Sequence, residues 1–290
     1  MRPDRQSIRF KLEHLAFRAA ARLFRGLGLE RASAFSGTLW RIAAPWSKRH
    51  GRALSHLAHA FPEKTPAERE AICRNMWENL GRTFAEAFFL EQIAAENRIS
   101  IQDGEVLEAW ARSQRGRVMC GAHVGNWELG VLSITRQGLH PWCIYRPIKN
   151  PKVDAEVLKM REFLYTGGLV PKHPALPRQF LRILKQGGTV GILADLRDAS
   201  GVAVPFFGRP AASTVFPALL AHSTGSPILV SCMRRLPGVR FIQSYEVFEP
   251  ADTGDRRADI ATTTANVQNS FERFIRQWPD QWMWAHRRWG

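Results

Sequence analysis

Between Ile8 and Trp110 the apolar positions recur every three or four residues. Ile8, Leu12, Leu15, Ala19 and Leu23 step along one face between basic side chains, a period that predicts amphipathic helix. Such a helix can lie on an anionic membrane or pack as an ordinary surface helix. Pro62 breaks the pattern, and Thr65-Pro66-Ala67-Glu68 restarts it. Thr65 reads as N-cap, Pro66 as first helical residue and Glu68 as the far side of a capping box, so a helix is expected from there to about residue 91.

After Trp110 short apolar runs replace the long period. Runs at 118–122, 142–145, 189–194, 228–233 and 240–247 alternate with helical stretches at 128–137, 154–166, 177–186 and 215–223, and a last helix is expected over 262–277. This alternation predicts an α/β fold, a central sheet with helices on both faces. A helical N-terminal region, residues 1–110, would wrap a core of residues 111–290 as one catalytic unit. There is no internal repeat and no low-complexity linker.

Charge narrows the partners. Lys and Arg number 41 against 26 Asp and Glu, a formal charge of +15. That excess suits phosphates, anionic headgroups or an acidic carrier. It also suits nucleic acid, but the basic residues are dispersed and no helix-turn-helix or RNA-binding signature appears. Cys73, Cys120, Cys143 and Cys232 are widely spaced, which suggests neither a zinc site nor a disulfide framework, and a reducing compartment fits. Arginines at 2, 5, 9, 18, 22 and 25 leave no apolar core for a signal peptide. The uncharged run 210–233 is long enough to span a bilayer, but Pro217, His222, Gly225 and Pro227 interrupt it, and a buried helix followed by a strand is expected. Trp278, Trp282, Trp284 and Trp289 close the chain beside Arg276, Arg287 and Arg288, a mixture suited to a lipid–water interface.

The candidate chemistry lies where the 118–122 strand runs into a Gly-Asn turn. His123 would sit at a strand's carboxyl end, the ligand-binding edge of open α/β sheets. Glu128 would begin the next helix and turn back to hold one tautomer of the imidazole, freeing the other nitrogen to take a proton. No G-x-S-x-G elbow accompanies the pair and no cysteine has a reactive setting, so the nucleophile would be a substrate hydroxyl. The spacing alone is weak, since roughly one such pair is expected by chance in a chain of this composition. A buried histidine satisfied by the core would look the same.

Longer segments add to it. His123-Val124-Gly125-Asn126-Trp127-Glu128, Tyr145-Arg146-Pro147-Ile148-Lys149-Asn150-Pro151, the strand from Gly187-Gly188 to Asp195, Gly201-Val202-Ala203-Val204-Pro205-Phe206-Phe207-Gly208, and Pro279-Asp280-Gln281-Trp282-Met283-Trp284-Ala285-His286-Arg287-Arg288-Trp289 occur in that order. Together with Ala60-Phe61-Pro62-Glu63 they make the chain resemble the late acyltransferases of lipid A biosynthesis over residues 12–289. The resemblance implies a glycerolipid-acyltransferase-like fold and transfer of a fatty acyl chain from an acyl carrier protein, or coenzyme A, to a hydroxyl of an anionic glycolipid. No cofactor or metal is implied. His123 would be the general base and Glu128 its partner, with Asn126 orienting either.

Arg161 resembles a family arginine suited to an oxyanion, though an exposed helix arginine reads the same way. Arg146, after a strand and before a proline, would contact a phosphate or the donor, or form an ion pair. Asp195, at the end of the 189–194 strand, would bind substrate or order Arg146. Leu196 stands where the family commonly has glutamine. Phe206 and Phe207 would wall an acyl channel or belong to the core. Relatives often begin with a transmembrane helix, whereas this chain has the arginine-studded stretch 32–46. Peripheral attachment to the cytoplasmic face of a bacterial inner membrane is therefore expected. Another glycolipid acceptor, such as a phosphatidylinositol mannoside, would suit the same chemistry.

Overall fold

A computed structural model describes residues 5–289. Five helices come first: α1 (Arg5–Leu27), α2 (Leu29–Ala43), α3 (Lys48–Ala60), α4 (Pro66–Glu86) and α5 (Leu90–Ala95). The capping box forms at α4, where Thr65 Oγ1 accepts from the Glu68 amide and Glu68 Oε2 accepts from the Thr65 amide at 2.7 Å. The chain then alternates through β1 (Ile99–Ile101), α6 (Gly104–Ala111), β2 (Arg117–Gly121), α7 (Leu132–Arg136), β3 (Pro141–Tyr145), α8 (Pro151–Arg161), β4 (Gly168–Pro171), α9 (Leu176–Lys185) and β5 (Thr189–Leu193). A β6–β7 hairpin (Arg197–Phe206, Arg209–Ser213), α10 (Phe216–Thr224), β8 (Ile228–Leu236), β9 (Arg240–Phe248) and α11 (Arg256–Gln277) complete it.

The sheet has seven strands in the order β1-β9-β8-β2-β5-β3-β4, parallel except for the β8–β9 pair. Its first strand, β1, falls within the stretch whose period reads as helical. Three residues are too few to interrupt that period. Side chains alternate across the sheet and build a core on each face. Val118 and Cys120 of β2 join Ile228 and Val230 of β8 in one core, while Met119, Leu229 and Met233 join the other. The helical third wraps both faces, α3 and α4 on the first core and α1 and α2 on the second.

The uncharged run forms α10 and β8 as expected, and no described helix is long and apolar enough to cross a membrane. One expectation about surfaces reverses. Trp282 and Trp284 are fully buried, packed edge-on at 4.6 Å, and Trp278 and Trp289 are half-buried against the same core, so this tail closes the core more than it offers an interfacial belt. Conversely Ile8, Leu12, Leu15 and Leu23 of α1 are exposed, as are Phe35, Leu39 and Ile42 of α2 and, at 86%, Trp46. Helix α1 buries Ala21 and Phe24 on another face and turns its leucine stripe outward.

Candidate active site

Strand pairing sets the site. Gly121 at the end of β2 is in register with Leu193 at the end of β5, so His123 and Asp195 each lie two residues beyond paired strand ends. Asp195 Oδ1 accepts from His123 Nδ1 at 2.8 Å, and its Oδ2 accepts from the His123 amide at 2.9 Å and from Trp282 Nε1 at 2.8 Å. Burial acts to lower the pKa of His123, but the Asp195 charge and hydrogen bond, with a smaller contribution from Glu128, raise it overall. Burial acts the other way on Asp195, yet His123 and Trp282 hold that carboxyl at about 2. An ionised Asp195 therefore fixes the neutral ring with its proton on Nδ1, and Nε2, with no partner among the described residues, keeps its lone pair.

The motif turn is held from beneath. Gly125 has φ +58°, and its carbonyl accepts from Asn79 Nδ2 and Thr83 Oγ1 of α4, each at 3.0 Å. Its amide donates to the Gln281 carbonyl at 3.1 Å, and an added Cβ would lie 2.0 Å from the Met233 carbonyl oxygen. Gly125→Ala should therefore destabilise the fold by at least about 1–2 kcal/mol from backbone strain alone, read as a lowered midpoint in urea unfolding.

Glu128 does not turn back to the imidazole. Residues after the turn enter a 3-10 helix, Trp127–Val131, instead of the α-helix expected. The Trp127 ring comes to 5.1 Å from the His123 ring, while Glu128 Oε1 accepts from Arg161 Nη2 at 2.7 Å. Nδ1 is already taken by Asp195, so Glu128 acts on His123 through its charge alone. Its other oxygen, Oε2, is buried and has no hydrogen-bond partner among the described residues. Asn126 orients neither residue. Buried completely, it donates from Nδ2 to Glu86 Oε2 at 2.8 Å, beneath the Glu86–Arg235 ion pair. Arg161, at the end of α8, is half-buried and paired. Arg146 is exposed and makes no ion pair among the described residues, and Asp195 does not order it. Phe206 and Phe207 are core: they pack against Trp282, Trp284 and Trp289, and Arg288 stacks on Phe206 at 4.6 Å.

Sequence reasoning missed His286. Its ring lies 5.9 Å from that of His123, and burial, then the charges of His123, Arg49 and Arg52, depress its pKa to about 4 despite Asp195. The signal available was its place in the last matching segment. All four thiols are buried, and burial raises each; Cys73 and Cys143 reach about 12. None can supply a thiolate nucleophile near neutral pH.

Two cavities meet at Trp127. One, about 60 Å³, is apolar and runs beneath the sheet edge between Met119, Gly130, Cys143 and Leu193. The other, about 380 Å³, is lined by Glu128, Arg161, His286, Arg49 and Arg52. His123 packs against two of the walls, the Trp127 and His286 rings, and a neutral imidazole with a free Nε2 there suits proton removal from a hydroxyl next to an acyl group.

Residues 12–290 match the family described as bacterial lipid A biosynthesis acyltransferases. The chain belongs to that family. As a lipid A biosynthesis acyltransferase family member it is an enzyme of acyl transfer, and membership supports lipid A-type acceptors. It is 26% identical over 263 residues, 86% of this chain and 82% of the relative, to a lipid A biosynthesis lauroyltransferase of Escherichia coli K12. A lipid A biosynthesis palmitoleoyltransferase of the same organism is 25% identical over 270 residues, 88% of this chain and 83% of its own. A phosphatidylinositol mannoside acyltransferase of Mycobacterium tuberculosis H37Rv is 27% identical over 264 residues, 85% of this chain and 80% of its own.

Proposed function

We propose that this acyltransferase moves a fatty acyl chain from a carrier thioester, acyl carrier protein or coenzyme A, to a hydroxyl of a phosphorylated lipid A precursor. The observation that carries the mechanism is the Asp195–His123 hydrogen bond at a strand end, where no thiolate is available among the described residues. His123 Nε2 takes the proton of the acceptor hydroxyl as its oxygen attacks the thioester carbon. The new C–O bond forms, the C–S bond breaks, and the departing thiolate recovers the proton from the imidazolium. Asp195 is a positioning residue that stabilises the imidazolium while it exists. Arg161, fixed by Glu128, is the cation assigned to the oxyanion. Exposed Arg146 is assigned to the acidic donor.

The small apolar cavity is assigned to a segment of the acyl chain. A Cβ at Gly130 would meet only Met119 Cε, at 3.9 Å, so Gly130→Ala fits the fold and narrows the cavity. One methylene in such a pocket is worth roughly 10–200-fold in discrimination. The variant should shift its preference to shorter acyl donors by about that factor, in competition assays with mixed chain lengths. Unchanged selectivity would place the acyl chain elsewhere.

The outward stripes of α1 and α2, with exposed Arg18, Arg22, Arg25 and Arg31, are assigned to an anionic membrane surface, a peripheral seat on the cytoplasmic face of the inner membrane. Residues 1–110 would supply that seat and 111–290 the chemistry, within one catalytic unit. Leu12→Glu with Ile42→Glu should abolish co-sedimentation with phosphatidylglycerol vesicles and leave the melting temperature in place, since both side chains are exposed. Deletion of the gene, followed by mass spectrometry of the cell's glycolipids, tests the acceptor. Loss of one ester-linked acyl chain from lipid A, restored by the wild-type chain but not by His123→Ala, is expected. Loss from a phosphatidylinositol mannoside would move the reading to that acceptor.

A further inference from the structure

The cavity beside Glu128 carries more positive charge than its own residues balance. Arg49, Arg52 and Arg161 line it with Glu128 as the acid among them, and Glu128 is matched by Arg161. Arg52 spends one hydrogen bond on the Ala285 carbonyl, at 3.2 Å, and keeps its other donors. Arg49 has no hydrogen bond or ion pair among the described residues. The two lie three residues apart on α3, hence on one helix face, within the first turns of a helix with no acidic residue at its start. Their charges both reach His286, which lines the same cavity beside His123. Trp40, Trp77 and Phe84 supply apolar walls that strengthen electrostatic attraction inside the cavity.

We infer that Arg49 and Arg52 form a phosphate-binding subsite of this cavity, holding a phosphate ester of the substrate while its reacting group lies against His123. The inference rests on the acyl-transfer reading for what brings the phosphate. Two sources share this chemistry, the phosphate of a glycolipid acceptor and the phosphodiester arm of a pantetheine donor. Planar guanidinium forks suit either, through paired hydrogen bonds to phosphate oxygens.

Equilibrium binding separates the subsite from catalysis. Full-length His123→Ala protein, with and without Arg49→Gln and Arg52→Gln, would be titrated calorimetrically with four probes. These are a diphosphorylated glucosamine-disaccharide lipid in detergent, its dephosphorylated counterpart, 4′-phosphopantetheine and pantetheine. Charge removal should weaken one phosphate-bearing probe by about tenfold or more and leave its phosphate-free counterpart unchanged. Whichever pair responds names the source. Arg49→Lys with Arg52→Lys should keep part of the affinity, and exposed Arg49→Gln alone guards against a folding defect. Equal affinities for all four probes in both backgrounds would overturn the subsite. Failure of the wild-type chain to transfer acyl groups would instead count against the proposed function, leaving this binding result readable.

Discussion

His123→Ala is expected to lower kcat for acyl transfer by about 10²–10⁴-fold, the usual contribution of a positioned general base, with KM for both substrates little changed. The imidazole enters only the proton-transfer step, so binding in the two cavities should survive. The fold should survive too, because Asp195 keeps the His123 main-chain amide and Trp282 as donors. It loses the Nδ1 donor, and leaving that buried acceptor site unmet costs about 1–3 kcal/mol. Steady-state kinetics with circular dichroism on the same sample separates these effects. A folded variant with wild-type kcat would remove His123 from the chemistry.

Asp195→Asn should be nearly as damaging, roughly 10³–10⁴-fold in kcat, on the precedent of a buried aspartate that fixes a catalytic tautomer. It also moves the pH profile in a defined direction. In the wild type His123 must be neutral to act, and its pKa is raised, so the acid limb of kcat/KM should lie above the usual histidine value near 6.5. Removing the Asp195 charge leaves burial to dominate, the histidine pKa falls, and the acid limb shifts to lower pH. Glu128→Gln should move the limb less, because Glu128 shares no hydrogen bond with the ring and acts through its charge. Its larger effect should come from freeing Arg161, seen as a fall in kcat at all pH values. A limb that responds to Glu128→Gln and not to Asp195→Asn would reverse the two carboxylates' roles.

Stability follows the same pair. Asp195 titrates near 2 in the folded chain against about 3.9 unfolded, so its contribution is present above the unfolded value and is lost as pH falls toward 2. The raised His123 pKa works oppositely: its contribution is complete below about 6.5 and fades as pH rises through the folded value.

The sequence made the local features legible. The Thr65 cap, the central strands and the position of His123 beyond β2 follow from residues close in the chain. What it left hidden depends on residues far apart. Asp195 lies 72 positions from His123 and becomes its neighbour only once β2 and β5 are known to pair, with Gly121 opposite Leu193. Glu128, near in sequence, was the more visible acid, but a 3-10 turn in place of an α-helix sends it to Arg161. The terminal tryptophans read as interfacial because composition cannot report burial. The Val124–Trp282 bridge draws that tail into the core, where Trp282 serves Asp195. The β6–β7 hairpin gave little period because its long strand bulges between Arg197 and Val202.

One measurement bears most directly on acyl transfer driven by His123 and Asp195. Purified wild-type, His123→Ala and Asp195→Asn proteins would each be given acyl carrier protein loaded with a fatty acyl chain and a diphosphorylated lipid A precursor, and the products weighed by mass spectrometry. The wild type should add one ester-linked acyl chain to the precursor and release the free carrier thiol in equal amount, with both variants at least about a hundredfold slower. Release of free fatty acid with no acylated lipid, or equal product from folded His123→Ala, would contradict the account.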